Sequence, residues 1–240
     1  MVDILDMPPP PGGKRIPYGD DPNQFGELRL PTGDGPHPVV IFIHGGFWRE
    51  RYTLDHATHL CQALADAGYA VWSLEYRRIG QPGGGHAGTT ADIEAGARFL
   101  AQLSGLDLDR VVVAGHSAGG YLALWLASRR AIPLRGVVAL AAVSDLKRAQ
   151  DLRLSNGVVD QFLEGAIPAP LAPIQIPQIL FHGTEDDIVP FDLSRQFAAE
   201  RPEAGLIPLP GAGHFELINP RTPAAREVLL AAGKLLATTP

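Results

Sequence analysis

Val111-Val112-Val113-Ala114-Gly115-His116-Ser117-Ala118-Gly119-Gly120 is the stretch that decides the fold. Its apolar opening reads as a buried strand, and the Tyr121-Leu122-Ala123-Leu124-Trp125-Leu126-Ala127 that follows reads as a helix. Between them, Gly-x-Ser-x-Gly fits a tight strand-to-helix turn that holds a serine up for attack. A serine hydroxyl is a poor nucleophile unless a base takes its proton and the chain keeps it presented. Glycines at positions 115, 119 and 120 remove the Cβ atoms that would collide where strand and helix nearly touch. Ser117 is therefore the candidate nucleophile. The bland alternative is a Gly/Ser-rich turn between core elements, and the strand before and helix after weigh against it.

Working outward, Val39-Val40-Ile41-Phe42-Ile43 is a continuous β-branched run, the mark of a parallel strand buried on both faces. Tyr69 to Leu74, Gly136 to Leu140, Gln178 to Phe181 and Leu206 to Leu209 read as further strands. Phe25 to Leu30 alternates and reads as an edge strand. Helical stripes follow at Leu54 to Ala67, capped by Thr53 and ended by Gly68, and after Thr90, where Ile93, Ala97, Leu100 and Ala101 face inward. Phe191 to Glu200 and the segment after Thr222-Pro223 are helical too. Alternating strands and helices give a mostly parallel central sheet with helices on both faces, in the α/β class. Residues 1–14 form a Pro/Gly-rich N-terminal segment. Residues 146–177 hold one weak helical pattern and a proline run, too short for a cap domain, so they read as a minimal lid.

The 240 residues suit a single α/β domain spanning 1–240. A 45% hydrophobic and 19% charged composition is that of a folded soluble chain. The net charge is -6 and no Lys/Arg block stands out, so nucleic acid is not an expected partner. No apolar stretch reaches a membrane span, and the acidic opening Met1-Val2-Asp3-Ile4-Leu5-Asp6 has no basic region or apolar core of a signal peptide. A cytoplasmic location is the resulting expectation, with no membrane partner. Cys61 is the single cysteine, which excludes an intrachain disulfide. Nothing in the sequence sets the oligomeric state.

Serine needs a base and an acid from elsewhere. Gly211-Ala212-Gly213-His214-Phe215 follows the last strand and offers His214 as base. His182-Gly183-Thr184-Glu185-Asp186-Asp187 follows the strand before it and offers the acid. Asp186 is preferred by position, with Asp145, Asp187 and Glu185 as rivals. The order Ser, Asp, His along the chain is the one that accompanies a Gly-x-Ser-x-Gly turn in a parallel sheet. His44-Gly45-Gly46-Phe47-Trp48 follows the buried strand at 39–43. There the backbone N–H of Gly46 or Phe47, together with that of Ala118, would stabilise an oxyanion. Trp48, His116 and His86 are candidates for touching substrate. His116, however, reads first as a packing group and His86 as a residue of a glycine loop. His56 and His59 have a helical spacing that can hold metal, but no third ligand is evident, so no metal is expected. Arg77 and Arg78 suit a substrate carboxylate but read first as partners of Glu75 or Asp92 in structural ion pairs.

Taken together these motifs resemble α/β-hydrolase fold esterases, in particular the arylformamidase-like (kynurenine formamidase-like) and small carboxylesterase branch. The likeness rests on Tyr18-Gly19, the His44-to-Trp48 loop, Glu75-Tyr76-Arg77-Arg78, Gly115-to-Gly120, His182-to-Asp186 and Gly213-His214-Phe215, and covers roughly residues 15 to 235. The resemblance implies a Ser117, Asp186, His214 triad and no cofactor. The third glycine of the esterase loop is Phe47 here, which leaves the second oxyanion donor open between Gly46 and Phe47. The expected activity is hydrolysis of short-chain carboxylic esters through an acyl-enzyme on a small-molecule ester or amide. The alternatives are an arylformamidase acting on N-formylkynurenine-type formamides and a scaffold that only binds ligand.

Overall fold

A strand that is apolar on both faces is stable only between two layers of helices. The computed structural model, which describes residues 4, 7–167 and 169–237, has that arrangement. Among these residues eight strands form one sheet: β1 Lys14–Pro17, β2 Phe25–Arg29, β3 His37–Ile43, β4 Ala70–Leu74, β5 Leu106–His116, β6 Gly136–Leu140, β7 Gln178–Gly183 and β8 Ala204–Leu209. Their spatial order is β1-β2-β4-β3-β5-β6-β7-β8. The β1–β2 and β2–β4 pairs are antiparallel, and every pair from β4 onward is parallel. The helices are α1 Thr58–Asp66, α2 His86–Arg98, α3 Ala118–Arg129, α4 Leu146–Asp151, α5 Leu154–Leu163, α6 Phe191–Ala199 and α7 Pro223–Ala237.

The two-residue period of the strands splits the core into two layers. Val39, Ile41, Trp72, Val113 and Ala139 pack with α2, α3, α5 and α6 on one face. Val40, Phe42, Val112, Val138 and Phe181 pack with α1 and α7 on the other. Each fully buried Val, Ile or Phe among them contributes about 1.5–3 kcal/mol, so the sheet core outweighs any single polar tie described below. Cys61 lies in the second layer as a buried hydrophobe. Thr222 caps α7, accepting from Ala225 N–H at 3.2 Å.

Three details differ from the expectations. First, Phe25–Arg29 is not an edge strand. The short, polar β1 lies outside it, and such a segment carries no apolar alternation to announce itself. Second, α2 begins at His86, four residues before Thr90. Gly85, at φ 87°, turns the chain into the helix, and the Thr90 hydroxyl donates to His86 O inside it. His86 is thus a helical residue and not part of a glycine loop. Third, the 146–177 segment holds two helices. Asp145 caps α4 by accepting from Arg148 N–H at 3.0 Å. Left-handed backbone at Arg153 and at Ser155–Gly157 then separates that helix from the apolar stripe Val158, Val159, Phe162 and Leu163 of α5. The acidic opening apart from Ile4, and Pro168 of the proline run, lie outside the described residues. Among the described residues no helix is long and apolar enough to cross a membrane.

Candidate active site

The parallel strands all end on one side of the sheet, and four of the loops leaving that edge carry the candidate residues: Gly45–Trp48 after β3, Ser117 after β5, Asp186 after β7 and His214 after β8. Open α/β sheets bind ligands along this edge.

Ser117 has φ 58° and ψ −120°, a conformation that a non-glycine residue holds only under constraint. The constraint is visible in its bonds. Its N–H donates to Leu140 O at 2.7 Å, and its carbonyl accepts from Gly120 and Val143. The turn is this tight because α3 presses on β3. A Cβ on Gly119 would stand 2.1 Å from Ile43 O and 2.4 Å from His44 O.

Asp186 and His214 meet. His214 Nδ1 lies 2.7 Å from Asp186 Oδ2, and the Asp186 side chain is fully buried. The other carboxylate oxygen accepts from Ile188 N–H at 2.9 Å and Val189 N–H at 2.8 Å. Burial alone would raise this carboxyl's pKa. The hydrogen bonds from His182 and His214 outweigh that and hold it well below the usual carboxylate range. His182 orders the loop of Asp186, with Nδ1 at 2.7 Å from Ser194 Oγ and Nε2 at 2.8 Å from Val189 O. The rivals are elsewhere: Glu185 and Asp187 are exposed, and Asp145 is spent on the α4 cap.

The Gly45–Trp48 loop is strained. Gly46, Phe47 and Trp48 have φ of 106°, 51° and 55° in succession, and each non-glycine residue there costs on the order of 1–3 kcal/mol. Its anchors offset that cost. Trp48 is fully buried, stacked on Phe162 with ring centres 4.1 Å apart. Arg49 reaches Ser155 O at 2.6 Å. His44 bonds Glu75 at 2.8 Å, and Tyr76 OH donates to His44 O at 2.8 Å. Glu75, itself 2% exposed, also pairs with Arg78 and accepts from Leu54 N–H. Burial, reinforced by Arg78, pushes the His44 pKa down to about 3, so its imidazole is neutral. Arg77 pairs with Asp92. Among the described residues the N–H groups of Gly46, Phe47 and Ala118 have no hydrogen-bond partner. They are donors held in place without an acceptor.

The remaining candidates are less open than expected. His116 is 1% exposed, with Nε2 3.0 Å from His214 O and Nδ1 3.4 Å from His56 Nε2. It ties the loop of His214 to the turn at Ser117 and does not face a free surface. Trp48 packs under the lid. His86 is half-buried, 3.0 Å from Tyr121 OH, and lines a cavity of about 450 Å³ with Trp125, Leu163 and Leu171. His56 does not pair with His59; it turns toward His116. Glu75 as the loop's anchor and Phe162 as its backing were not separable in the sequence from ordinary ion-pair and core residues.

Esterase 2 of Thermogutta terrifontis superposes with a TM-score of 0.77 at 22% identity, covering 95% of this chain and 97% of that one. A bacterial heroin esterase gives 0.74 at 21%, covering 89% and 80%. The chain has the α/β-hydrolase fold. It also matches the BD-FAE family model over residues 27–132, a span that includes the 44–48 loop and the elbow but neither Asp186 nor His214. It is 29% identical to Esterase LipC of Mycobacterium tuberculosis over 86% of its own length and 60% of the relative's. To a probable isoprenylcysteine alpha-carbonyl methylesterase of Oryza sativa it is 30% identical, over 80% and 54%. The chain spans 46% to 60% of the length of its first such relatives.

Proposed function

We propose that this α/β-hydrolase cleaves carboxylic esters of short-chain acids through an acyl-enzyme on Ser117. The observation that carries the reading is the 2.7 Å contact of His214 with the buried Asp186, on the sheet edge that also presents Ser117 in a strained turn. The esterase names of its relatives and structural neighbours support the bond class.

In this mechanism Asp186 accepts from His214 Nδ1–H, which leaves Nε2 free to take the Ser117 proton. Ser117 Oγ attacks the ester carbonyl, and negative charge gathers on its oxygen. The unpartnered N–H groups of Ala118 and of Gly46 or Phe47 receive that charge. Fixed donors of this kind are worth about 3–4 kcal/mol each where measured. His214 then protonates the leaving alcohol, activates water, and returns the acid product. The lid is two short helices and a proline run, so it covers little of a long acyl chain, and each CH₂ left unburied forgoes about 0.8 kcal/mol. Acetyl esters should therefore be turned over better than octanoyl esters.

The test is a fluorophosphonate label followed by peptide mapping, with a panel of p-nitrophenyl esters and N-formylkynurenine. A single label on Ser117, absent from a folded Ser117→Ala variant that has also lost ester hydrolysis, is the expected result. Labelling at another serine, or ester turnover retained by Ser117→Ala, overturns the reading. Faster turnover of the formamide than of any ester moves the enzyme to the arylformamidase alternative.

A further inference from the structure

Behind the candidate triad lies a second histidine pair that the mechanism above does not use. His56 sits at the end of the 3-10 turn preceding α1, outside every motif that defines the elbow, the acid or the base. Its ring nevertheless occupies the point where the 44–48 loop meets the loop of His214. His56 Nδ1 lies 3.3 Å from Thr53 O, and its Nε2 lies 3.4 Å from both Gly45 N and His116 Nδ1. His116 Nε2 in turn lies 3.0 Å from His214 O. The ring centres of His56 and His116 are 5.6 Å apart, and those of His116 and His214 are 4.6 Å apart.

Proton counting fixes what each nitrogen does. Carbonyl oxygens only accept, so Thr53 O calls for a proton on His56 Nδ1, and His214 O calls for one on His116 Nε2. A neutral imidazole carries one proton. His56 Nε2 is then a bare acceptor, and the donor beside it is the N–H of Gly45. Gly45 has little freedom to move otherwise. A Cβ there would stand 2.9 Å from Ser117 Cβ and 2.8 Å from His116 O, so the glycine is in direct contact with the nucleophile's turn. The next residues, Gly46 and Phe47, are the ones whose free N–H groups face no acceptor. Whatever fixes the peptide at Gly45 fixes the direction of those donors.

We infer that His56 is a positioning residue for the ester hydrolysis proposed above: its Nε2 accepts from the Gly45 N–H and so holds the oxyanion loop, while its ring packs against His116, which bonds the loop of His214 on its own account. It touches neither substrate nor the reacting atoms. Its influence lies in the transition state, where oxyanion donors must point at an oxygen that has moved from its ground-state place. Loss of the anchor should therefore lower kcat and leave KM nearly unchanged. The inference rests on the serine-hydrolase reading, and its test separates the two.

Two polar substitutions at this partly exposed site differ only in reach. The Gln side chain can bring Oε1 to the place of Nε2, whereas the Asn oxygen stops near the place of Nδ1. His56→Asn should lower kcat for p-nitrophenyl acetate by about 10- to 100-fold, with KM changed by about twofold or less, since small misplacements of catalytic donors have effects of that order. It should slow fluorophosphonate labelling of Ser117 by a similar factor. His56→Gln should restore both rates to within about threefold of wild type, because it restores the acceptor that fixes the donors. Thermal unfolding of each variant shows whether it is folded at the assay temperature. A folded Asn variant with wild-type labelling and turnover overturns the inference. So does a Gln variant as slow as the Asn variant, since the ring's shape and not its acceptor would then matter. If wild type itself is not labelled at Ser117, the serine reading falls first, and that outcome is seen before either variant is compared.

Discussion

Asp186 shows how much one side chain's orientation decides. Two backbone N–H groups, from Ile188 and Val189, require an oxygen at Oδ1. In Asp186→Asn the amide must turn its oxygen toward them, which puts its NH₂ opposite His214 Nδ1. That forces the proton of His214 onto Nε2, the nitrogen that accepts from Ser117 in the proposed mechanism. The variant should lose kcat by a factor on the order of 10⁴ with little change in KM. The neighbouring Asp187→Asn, on an exposed side chain, should stay within a fewfold. Steady-state kinetics on p-nitrophenyl acetate checks both, and a larger loss at Asp187 would move the acid role. Ser117 and His214 were legible in the sequence because glycines frame each in a loop after a strand. Asp186 was one carboxylate among several, since the sequence does not say which of three consecutive acids turns inward. Glu75 could be read only as a charge near Arg78; its place under His44 depends on how β3 and β4 pair.

At the scale of elements, the lid is packed into the main core through Leu146, Ala149, Val158, Val159, Phe162 and Leu163, and its contacts can be probed one by one. Asp145→Ala removes the cap of α4 and should destabilise the protein by about 1 kcal/mol. Activity should change by no more than about twofold, because the residue serves a helix end and not His214. Phe162→Ala removes a fully buried ring from beneath Trp48 and should cost about 3–5 kcal/mol. It should also slow turnover by the molecules that remain folded, since the strained 44–48 loop loses its backing. Urea unfolding paired with kinetics measures both; a Phe162→Ala variant of wild-type stability would show that the stack holds nothing in place. The same scale explains which elements could be read from sequence. The buried parallel strands and the amphipathic α1, α6 and α7 declare themselves by unbroken or periodic apolar runs. β1 is short and charged, and α2 has its first turn in Gly85-His86-Ala87-Gly88, residues that by propensity belong to a loop. The two helices of the lid are parted by left-handed backbone that no apolar periodicity encodes.

For the molecule as a whole, buried titratable groups set the pH range of stability. His44 and His116 are 0% and 1% exposed. Burial, with Arg78 beside His44, brings that pKa to about 3; burial, with His214 and His56 beside His116, brings the other well below its ordinary value. In the unfolded chain such imidazoles titrate near 6.5. Below about pH 6.5 the unfolded state therefore binds protons that the native state refuses, and stability falls as pH drops toward 3. The term from His44 alone reaches about 2 kcal/mol by pH 5, which is several degrees in Tm for a chain of this length. Carboxylates held low, such as Asp186, begin to matter only below about pH 4. On the alkaline side burial raises the Cys61 thiol to about 12 and lifts the Tyr18, Tyr76 and Tyr121 phenols above their ordinary range. Their unfolded counterparts ionise near 8.5 and 10, so stability is full below about pH 8.5 and declines as pH rises beyond it. The expected profile is a plateau between about pH 6.5 and 8.5 with a fall on each side. Scanning calorimetry from pH 4 to 10 checks it, and the acid shoulder is the decisive part. A Tm that holds constant from pH 7.5 down to 4.5 would mean that His44 and His116 carry protons in the native state, and that the neutral imidazoles assigned to the layer behind Ser117 are wrong.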